Sequence, residues 1–484
     1  MPSDQSRTGR RKFIKDAGAL LAAAASSRWT RPAWGTPQPS PRPNILIIVA
    51  DDQRNDTIAA LANSHIRTPN LDRLVRGGFA FRRARCMGSQ VGAVCIAARA
   101  MLHTGRTLFR APHELPARFA TMAEVFRRAG YATFGCGKWH NEPPSFARGF
   151  AGGGSIFFGG MNTDQYRVRI HDFDPAGRYE RNATHVKPEF SSELFADAAV
   201  DFLHGYRRDE PFLCYAAFTS PHDPRTPPPP FATMYDPAAM PLPPNFLPRH
   251  AFDNGELRIR DELLAPFPRT PENTRRQLCD YYGMISSQDA QVGRILQALH
   301  ESGRAENTII VYTGDHGLAI GSHGLFGKQN VYEHSVGIPM ILHGPTIPAG
   351  RSSDAFVYGF DLYPTLCEMT GVGPPLTVEG KSLAAIIGQK ADRVRDSAFS
   401  AYIHPAKPPG QAATQHAVND GRWKLIRYRV DGKRTMQLFD LENDPAEAHD
   451  LSSDAAARRQ ITRLERLLTQ WRHDLDEKPE WAAT

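Results

Sequence analysis

The chain has 484 residues and a mass of 53.7 kDa, enough for about two to four domain-sized units or one large core with an appendage, which excludes small disulfide scaffolds and single peptide-binding modules. Hydrophobic residues make up 41% and charged residues 23%, ordinary globular usage that predicts a buried core. The formal charge of +7 is concentrated at the start: seven Lys or Arg face only Asp4 and Asp16 in residues 1–35, leaving about +2 for the rest, so nucleic-acid or heparin binding loses most of its electrostatic basis.

In chain order, Arg10-Arg11-Lys12-Phe13 precedes a short apolar run from Ala17 to Ala25. This is the layout of a cleavable export signal over residues 1–35, and the paired arginines read as a twin-arginine address for the Tat export machinery. A periplasmic or secreted protein is expected. So short a run cannot span a bilayer core, which needs about 20 residues, so no stable membrane insertion is expected either. Residues 36–43 read as a proline-rich linker.

Asn44 to Ala50 is a continuous β-branched run, the pattern of a strand buried on both faces. Similar runs recur at Pro211–Phe218, Thr308–Tyr312 and Val336–Leu342. Helical patterns lie at Thr121–Ala129, which opens on a capping box between Thr121 and Glu124, at Ser192–Gly205 and at Pro271–Ser302. Such alternation predicts an α/β fold, a large and mostly parallel sheet flanked by helices, over a catalytic domain at 44–385. Between Pro224 and Pro271 there are thirteen prolines, which predicts an ordered rim. Residues 386–484 read as a smaller α+β subdomain. In it Arg422–Arg429 and Arg434–Asp440 form an antiparallel hairpin around Asp431-Gly432, followed by a helix from Ala455 to Leu475. The six cysteines show no zinc-ligand spacing; at most one disulfide is expected, and not at Cys95.

Ligands of such sheets bind beyond the carboxyl ends of the strands, where charge and imidazole gather: Asp51-Asp52, Lys138-Trp139-His140, Ser220-Pro221-His222 and Gly314-Asp315-His316-Gly317. Three acids and one imidazole from the first and last suit a hard divalent cation. Cys95 precedes a helix, where unpaired N–H groups favour anions, with Arg99 one turn on.

Seven stretches taken in order, from Pro43–Asp52 through Thr68–Leu74, Cys95–Arg106, Gly137–His140, Ser220–His222 and Thr313–Gly317 to Leu325–Lys328, closely resemble the motifs of the type I sulfatases. The Asp440–Glu447 stretch is similar to that family's C-terminal subdomain. The resemblance implies an alkaline phosphatase-like fold and hydrolysis of an organic sulfate monoester; a carbohydrate sulfate fits the expected export, with choline sulfate and a simple aryl sulfate as alternatives. It implies a formylglycine derived from Cys95 by a formylglycine-generating or sulfatase-maturating enzyme, whose hydrated aldehyde attacks sulfur and then expels sulfate through its second hydroxyl. Asp51, Asp52, Cys95, Asp315 and His316 match the metal ligands, with one Ca2+ per chain as the implied ion. His316 stands where many members carry an amide.

By the same resemblance, Arg99 stabilises the hydrated aldehyde, Lys138 and Lys328 hold sulfate oxygens, His140 is the base, and His222 is the acid that protonates the leaving alcohol. His323 and His334 receive no role. The family's usual Cys-x-Pro-Ser-Arg is here Cys95-Ile-Ala-Ala-Arg99. A phosphonate monoester or phosphodiester hydrolase of the same fold, and a non-catalytic sulfated-glycan binder, are the competing readings.

Overall fold

The computed structural model describes residues 42–180, 182–404 and 413–478. The expected export signal, and the linker apart from Arg42 and Pro43, lie outside them. Asn44–Ala50 forms strand β1, with all seven residues buried. Ile45, Ile47 and Val49 belong to the core cluster that holds Met101, Phe126 and Tyr363. Leu46, Ile48 and Ala50 belong to a second cluster, with Leu194, Phe195 and Ile295. The period of two thus divides one apolar run between two cores, as in a sheet covered on both faces.

Seven further strands join β1: β2 (Phe79–Phe81), β3 (Ala132–Lys138), β4 (Gly152–Phe157), β5 (Phe212–Ala217), β6 (Thr308–Gly314), β7 (Met340–His343) and β8 (Arg351–Ser353). Their order is β8-β2-β7-β6-β1-β5-β3-β4. All neighbours are parallel except β7, which runs antiparallel to both of its own.

The strand expected at Val336–Leu342 starts only at Met340. Val336 N donates to Tyr332 O (3.0 Å) and Gly337 N to Glu333 O (2.8 Å), which closes a helical turn at Glu333–Val336, and Pro339 has no N–H to give a ladder.

The principal helices are α1 (Pro69–Gly77), α2 (Val94–Thr104), α3 (Met122–Arg128), α4 (Ser191–Gly205), α5 (Pro271–Glu301) and α6 (Arg458–Asp474). The expected capping box opens α3: Thr121 Oγ1 accepts from Glu124 N (3.3 Å) and the Glu124 carboxylate from Thr121 N (2.9 Å). Asp289, in the middle of α5, accepts the N–H groups of Asn70 (3.1 Å) and Leu71 (2.7 Å). It thereby caps the first turn of α1 from outside, so the Thr68–Leu74 stretch is a docking point between two helices.

At the C-terminal end β9 (Ala398–His404), β10 (Ala413–Asn419), β11 (Trp423–Val430) and β12 (Lys433–Asp440) form an antiparallel sheet in sequence order. The short strand Gly88–Ser89 joins it alongside β9, and α6 packs on β10 and β11. Val430 pairs with Lys433 across Asp431 and Gly432, both at positive φ, the two-residue turn that an Asp-Gly pair favours. All six cysteines are buried free thiols. No helix among the described residues is long and apolar enough to cross a membrane.

Candidate active site

Parallel register delivers the charged residues to one edge of the sheet. Ala50 pairs with Gly314 and Val49 with Ala217, so the chain leaves β1, β5 and β6 side by side. Asp52 turns out of β1 with φ +66° and donates its N–H to Asp315 Oδ1 (3.1 Å). Asp315 N donates to Ala50 O (3.2 Å), and Asp51 N to Ser220 O (3.0 Å), which ties β1 to the turn carrying His222. Lys138 closes β3. The preceding Gly137 has φ +80°, and a Cβ there would lie 1.8 Å from Ala217 O; only glycine allows this approach between β3 and β5.

The first turn of α2 brings Cys95 to the same place, and Arg99 follows, wholly buried. Arg99 Nε donates to Asp315 Oδ2 (3.0 Å) and its Nη1 to Lys138 O (2.7 Å). Lys138 Nζ is 2.5 Å from Asp51 Oδ2. Lys328 Nζ reaches both Asp52 oxygens (2.8 and 3.0 Å) and Cys95 Sγ (3.3 Å), and His316 Nε2 is 3.1 Å from the same sulfur. His222 Nδ1 is 2.9 Å from Asp223 O. A carbonyl only accepts, so Nδ1 carries the proton and Nε2 faces the cluster, 3.9 Å from Asp52 Oδ2. All ten residues expected at the site therefore converge; His140 lines the same pocket as Cys95, His222 and Lys328.

Residues 43–372 match the family model described as Sulfatase, and residues 321–474 the one described as N-sulphoglucosamine sulphohydrolase, C-terminal. The chain belongs to the sulfatase family. It is 28% identical over 464 residues to an arylsulfatase of Clostridium perfringens, covering 88% of this chain and 94% of that one. It is 24% identical over 515 residues to an N-acetylglucosamine-6-O-sulfatase of Bacteroides thetaiotaomicron, covering 90% and 88%. The solved sulfatase yidJ of Bacteroides fragilis shares the fold with a TM-score of 0.75 at 24% identity, over 90% and 96% of the two chains. This sulfatase is a sulfuric ester hydrolase, which cleaves an organic sulfate monoester to alcohol and inorganic sulfate.

The sulfatase concentrates charge on buried side chains. Burial pushes Asp51 up to about 6, although Lys138 pulls the other way, and burial likewise raises Asp52 against His222 and Lys328. For the Cys95 thiol, burial opposes ionisation, but Lys138, Lys328 and His316 outweigh it and hold the group well below its usual range. The two proposed proton carriers diverge. Burial, helped by Lys138, pushes His140 down to about 4. Burial disfavours the charged form of His222 as well, yet Asp52 carries it up to about 9. Two imidazoles driven apart in this way suit opposite proton-transfer roles at neutral pH.

Asp51, Cys95, Asp315 and His316 each bring a ligand atom into a group whose atoms lie within 4.8 Å of one another. Asp51 Oδ1 is buried with no hydrogen-bond partner. Two carboxylates and an imidazole fit a divalent cation, with the Cys95 sulfur as the one soft member. Asp52 stands beside this group, its Oδ1 3.3 Å from His316 Nε2, while both of its oxygens also hold Lys328.

The pocket above this floor encloses about 260 Å³ and is also lined by Met161, Glu256, Arg260, Asp261, Gln329, Tyr402 and His404. Residues 224–271 thus supply a wall, as the expected rim should. None of these seven is singled out by the sequence, although all but Gln329 lie in stretches expected to shape a sugar subsite, Phe157–Tyr179, the proline-rich rim and the C-terminal subdomain; the run of adjacent opposite charges at Arg260-Asp261-Glu262 was the available signal. His323 and His334 lie elsewhere: His323 stacks on Tyr332 (3.8 Å between centroids) and donates to Glu447 O (2.8 Å), a packing role.

Proposed function

We propose that this sulfatase removes sulfate from a carbohydrate using a formylglycine made from Cys95 and one bound calcium ion. The convergence of Asp51, Cys95, Asp315 and His316 at the strand ends carries the reading. Asp51, Asp52, Asp315 and His316, with the converted Cys95, would hold the ion, which would polarise a sulfate oxygen when bound. The converted side chain would supply, as its hydrate, one hydroxyl to attack sulfur and a second to release sulfate. Conversion replaces the soft sulfur with oxygen and makes the donor set match a hard cation.

Lys138 and Lys328 hold sulfate oxygens from two sides, where charge must be spread as the ester bond breaks. Arg99, anchored on Asp315, fixes the hydrated aldehyde. Nε2 of His222 gives its proton to the departing alcohol oxygen, while His140 takes the proton that frees sulfate. A sugar as the alcohol is supported by Glu256, Arg260, Asp261 and Gln329 among the pocket's lining residues and by similarity to the Bacteroides thetaiotaomicron enzyme named as an N-acetylglucosamine-6-O-sulfatase. Arg10-Arg11-Lys12-Phe13 supports export by the twin-arginine route to the periplasm or beyond, with Cys95 converted by a maturating enzyme before export.

Peptide mass spectrometry of Cys95, together with turnover of defined sulfated sugars, tests the reading. An aldehyde in place of the thiol and desulfation of at least one sugar are expected. An unmodified thiol in fully active protein would remove the nucleophile, and turnover confined to aryl or choline sulfate would remove the sugar.

A further inference from the structure

The segment 224–270 holds only two short 3-10 turns, Phe231–Thr233 and Glu262–Leu264. Three consecutive residues of it nevertheless reach both loop-borne groups of the site. The Glu262 carboxylate is buried and accepts the N–H groups of Phe326 (2.9 Å) and Gly327 (2.8 Å), the two residues before Lys328. Arg269, also buried, pairs with Glu262 Oε2 (2.5 Å) and donates from Nε to Gly324 O (3.1 Å). Burying a charged pair costs stability unless its remaining valences are met; here they are met by the backbone of the loop that bears Lys328 and, for Arg269 Nη1, by the carbonyls of Glu262 and Ala265.

Asp261 works on the other side of that lysine. Its Oδ2 accepts from Gln329 Nε2 (2.8 Å), while Gln329 Oε1 accepts from Lys328 N (2.9 Å). Gln329 also donates to Gly92 O (3.1 Å), three residues before Cys95. A Cβ on Gly327 would meet Gln329 Oε1 at 2.7 Å and Glu262 Oε1 at 3.0 Å, so the acceptors close directly on the backbone. Arg260 turns to the opposite flank and grips both oxygens of Asp223. The backbone carbonyl of Asp223 in turn fixes the Nδ1 proton of His222.

We propose that Arg260, Asp261 and Glu262 are positioning residues, Asp261 and Glu262 setting Lys328 against the sulfate and Arg260 setting His222 against the leaving oxygen. The inference rests on the roles given to Lys328 and His222 above. The two halves act at different bonds, so they differ in signature. Misplacing Lys328 weakens sulfate stabilisation whatever the alcohol. Misplacing His222 matters only where the alcohol oxygen needs a proton.

The test compares kcat/KM for an activated aryl sulfate and an unactivated alkyl sulfate in Glu262→Gln, Arg260→Met and Arg260→Lys, with His222→Ala and Lys328→Ala as controls. Thermal melts and Cys95 conversion are measured on the same samples. Glu262→Gln leaves one acceptor oxygen for two N–H groups and should lower both substrates by a similar factor, about 10- to 100-fold, the scale of an ångström-sized misplacement. Arg260→Met should lower the alkyl sulfate by about tenfold with little effect on the aryl sulfate, and Arg260→Lys should restore part of that loss. Unchanged kinetics in these variants beside the expected control patterns would overturn the positioning role, as would equal losses on both substrates in all three that track lost folding or conversion. Controls without the two patterns would instead overturn the roles of Lys328 and His222, and this proposal with them.

Discussion

The two flanks of the active site are held by different means. On one flank Asp51, Lys138 and Asp315 stand at the ends of β1, β3 and β6, fixed by ladder bonds such as Asp315 N to Ala50 O and by strand register. On the other, Lys328 and His222 ride on loops that contribute no ladder, and other groups fix them: the side chains of Glu262, Asp261 and Gln329 for the lysine, the backbone carbonyl of Asp223 for the imidazole. The sheet flank is therefore coupled to the stability of the whole fold. The loop flank can lose its geometry while the fold survives. In the proposed mechanism the metal-holding charge thus comes chiefly from the sheet, and the group that meets the variable alcohol, His222, comes from a loop.

The largest expected effect lies on the sheet flank. Asp315→Asn keeps an acceptor for the N–H groups of Asp52 and His316 (3.1 and 2.9 Å) but removes a negative charge from the proposed cation site and from the partner of Arg99. Turnover should fall by about 10²- to 10³-fold or more on every substrate, the scale of losing one preorganised electrostatic group. Metal content measured by elemental analysis should fall with it. Undiminished activity and metal would show that the strand ends do not supply the ion's charge.

Two glycines sharpen the contrast next. At Gly137 an added Cβ would strike a backbone oxygen, Ala217 O, at 1.8 Å with φ at +80°, and neither strand can yield without breaking register. Gly137→Ala should cost about 2 kcal/mol of stability or more, read as a shifted denaturation midpoint. At Gly327 the obstructing atoms are chiefly the ends of side chains. Gly327→Ala should hold stability to within about 1 kcal/mol while kcat/KM drops by about tenfold. The reverse pattern, with Gly327→Ala unfolding the protein and Gly137→Ala only slowing it, would invert the division between flanks.

The same division explains what could be read from the chain. The buried runs of β1 and β6 end in Asp51-Asp52 and Asp315-His316, and parallel topology alone predicts that those ends meet. The Asp431-Gly432 hairpin and the capping box at Thr121 were legible because local chemistry dictates them. Strand β3 was legible only at its end, before Lys138-Trp139-His140, since Ala132-Thr-Phe-Gly-Cys-Gly-Lys138 breaks its apolar run with Gly137, which serves the approach to β5, and Gly135, which makes room for the Phe146 and Phe150 rings. Strand β10 was hidden because buried Gln415, His416 and Asn419 bond to Gln329, Glu477 and Glu333, contacts that no periodicity reveals. Arg260, Asp261, Glu262 and Gln329 escaped for a related reason: a residue that acts through a neighbour's backbone has no required spacing to the motif it supports.

The smallest effect should come from the hairpin tip. Gly432 has φ +79°, and a Cβ there would meet nothing within 4 Å, so Gly432→Ala adds only the strain of a left-handed backbone, about 1 kcal/mol. A route from this hairpin to the site does exist: Val430 pairs with Ala413 and Tyr428 with Gln415, and Gln415 Nε2 donates to Gln329 O (3.1 Å), one residue past Lys328. Strain at an exposed two-residue turn can relax within the turn, whereas β10 is held along its whole length by β9 and β11. The denaturation midpoint should therefore move slightly while kcat/KM on aryl and alkyl sulfates stays at the parent value. A tenfold kinetic loss without unfolding would mean that the C-terminal sheet transmits its register to Lys328, and that the loop flank is fixed from β10 as well as from the proline-rich wall.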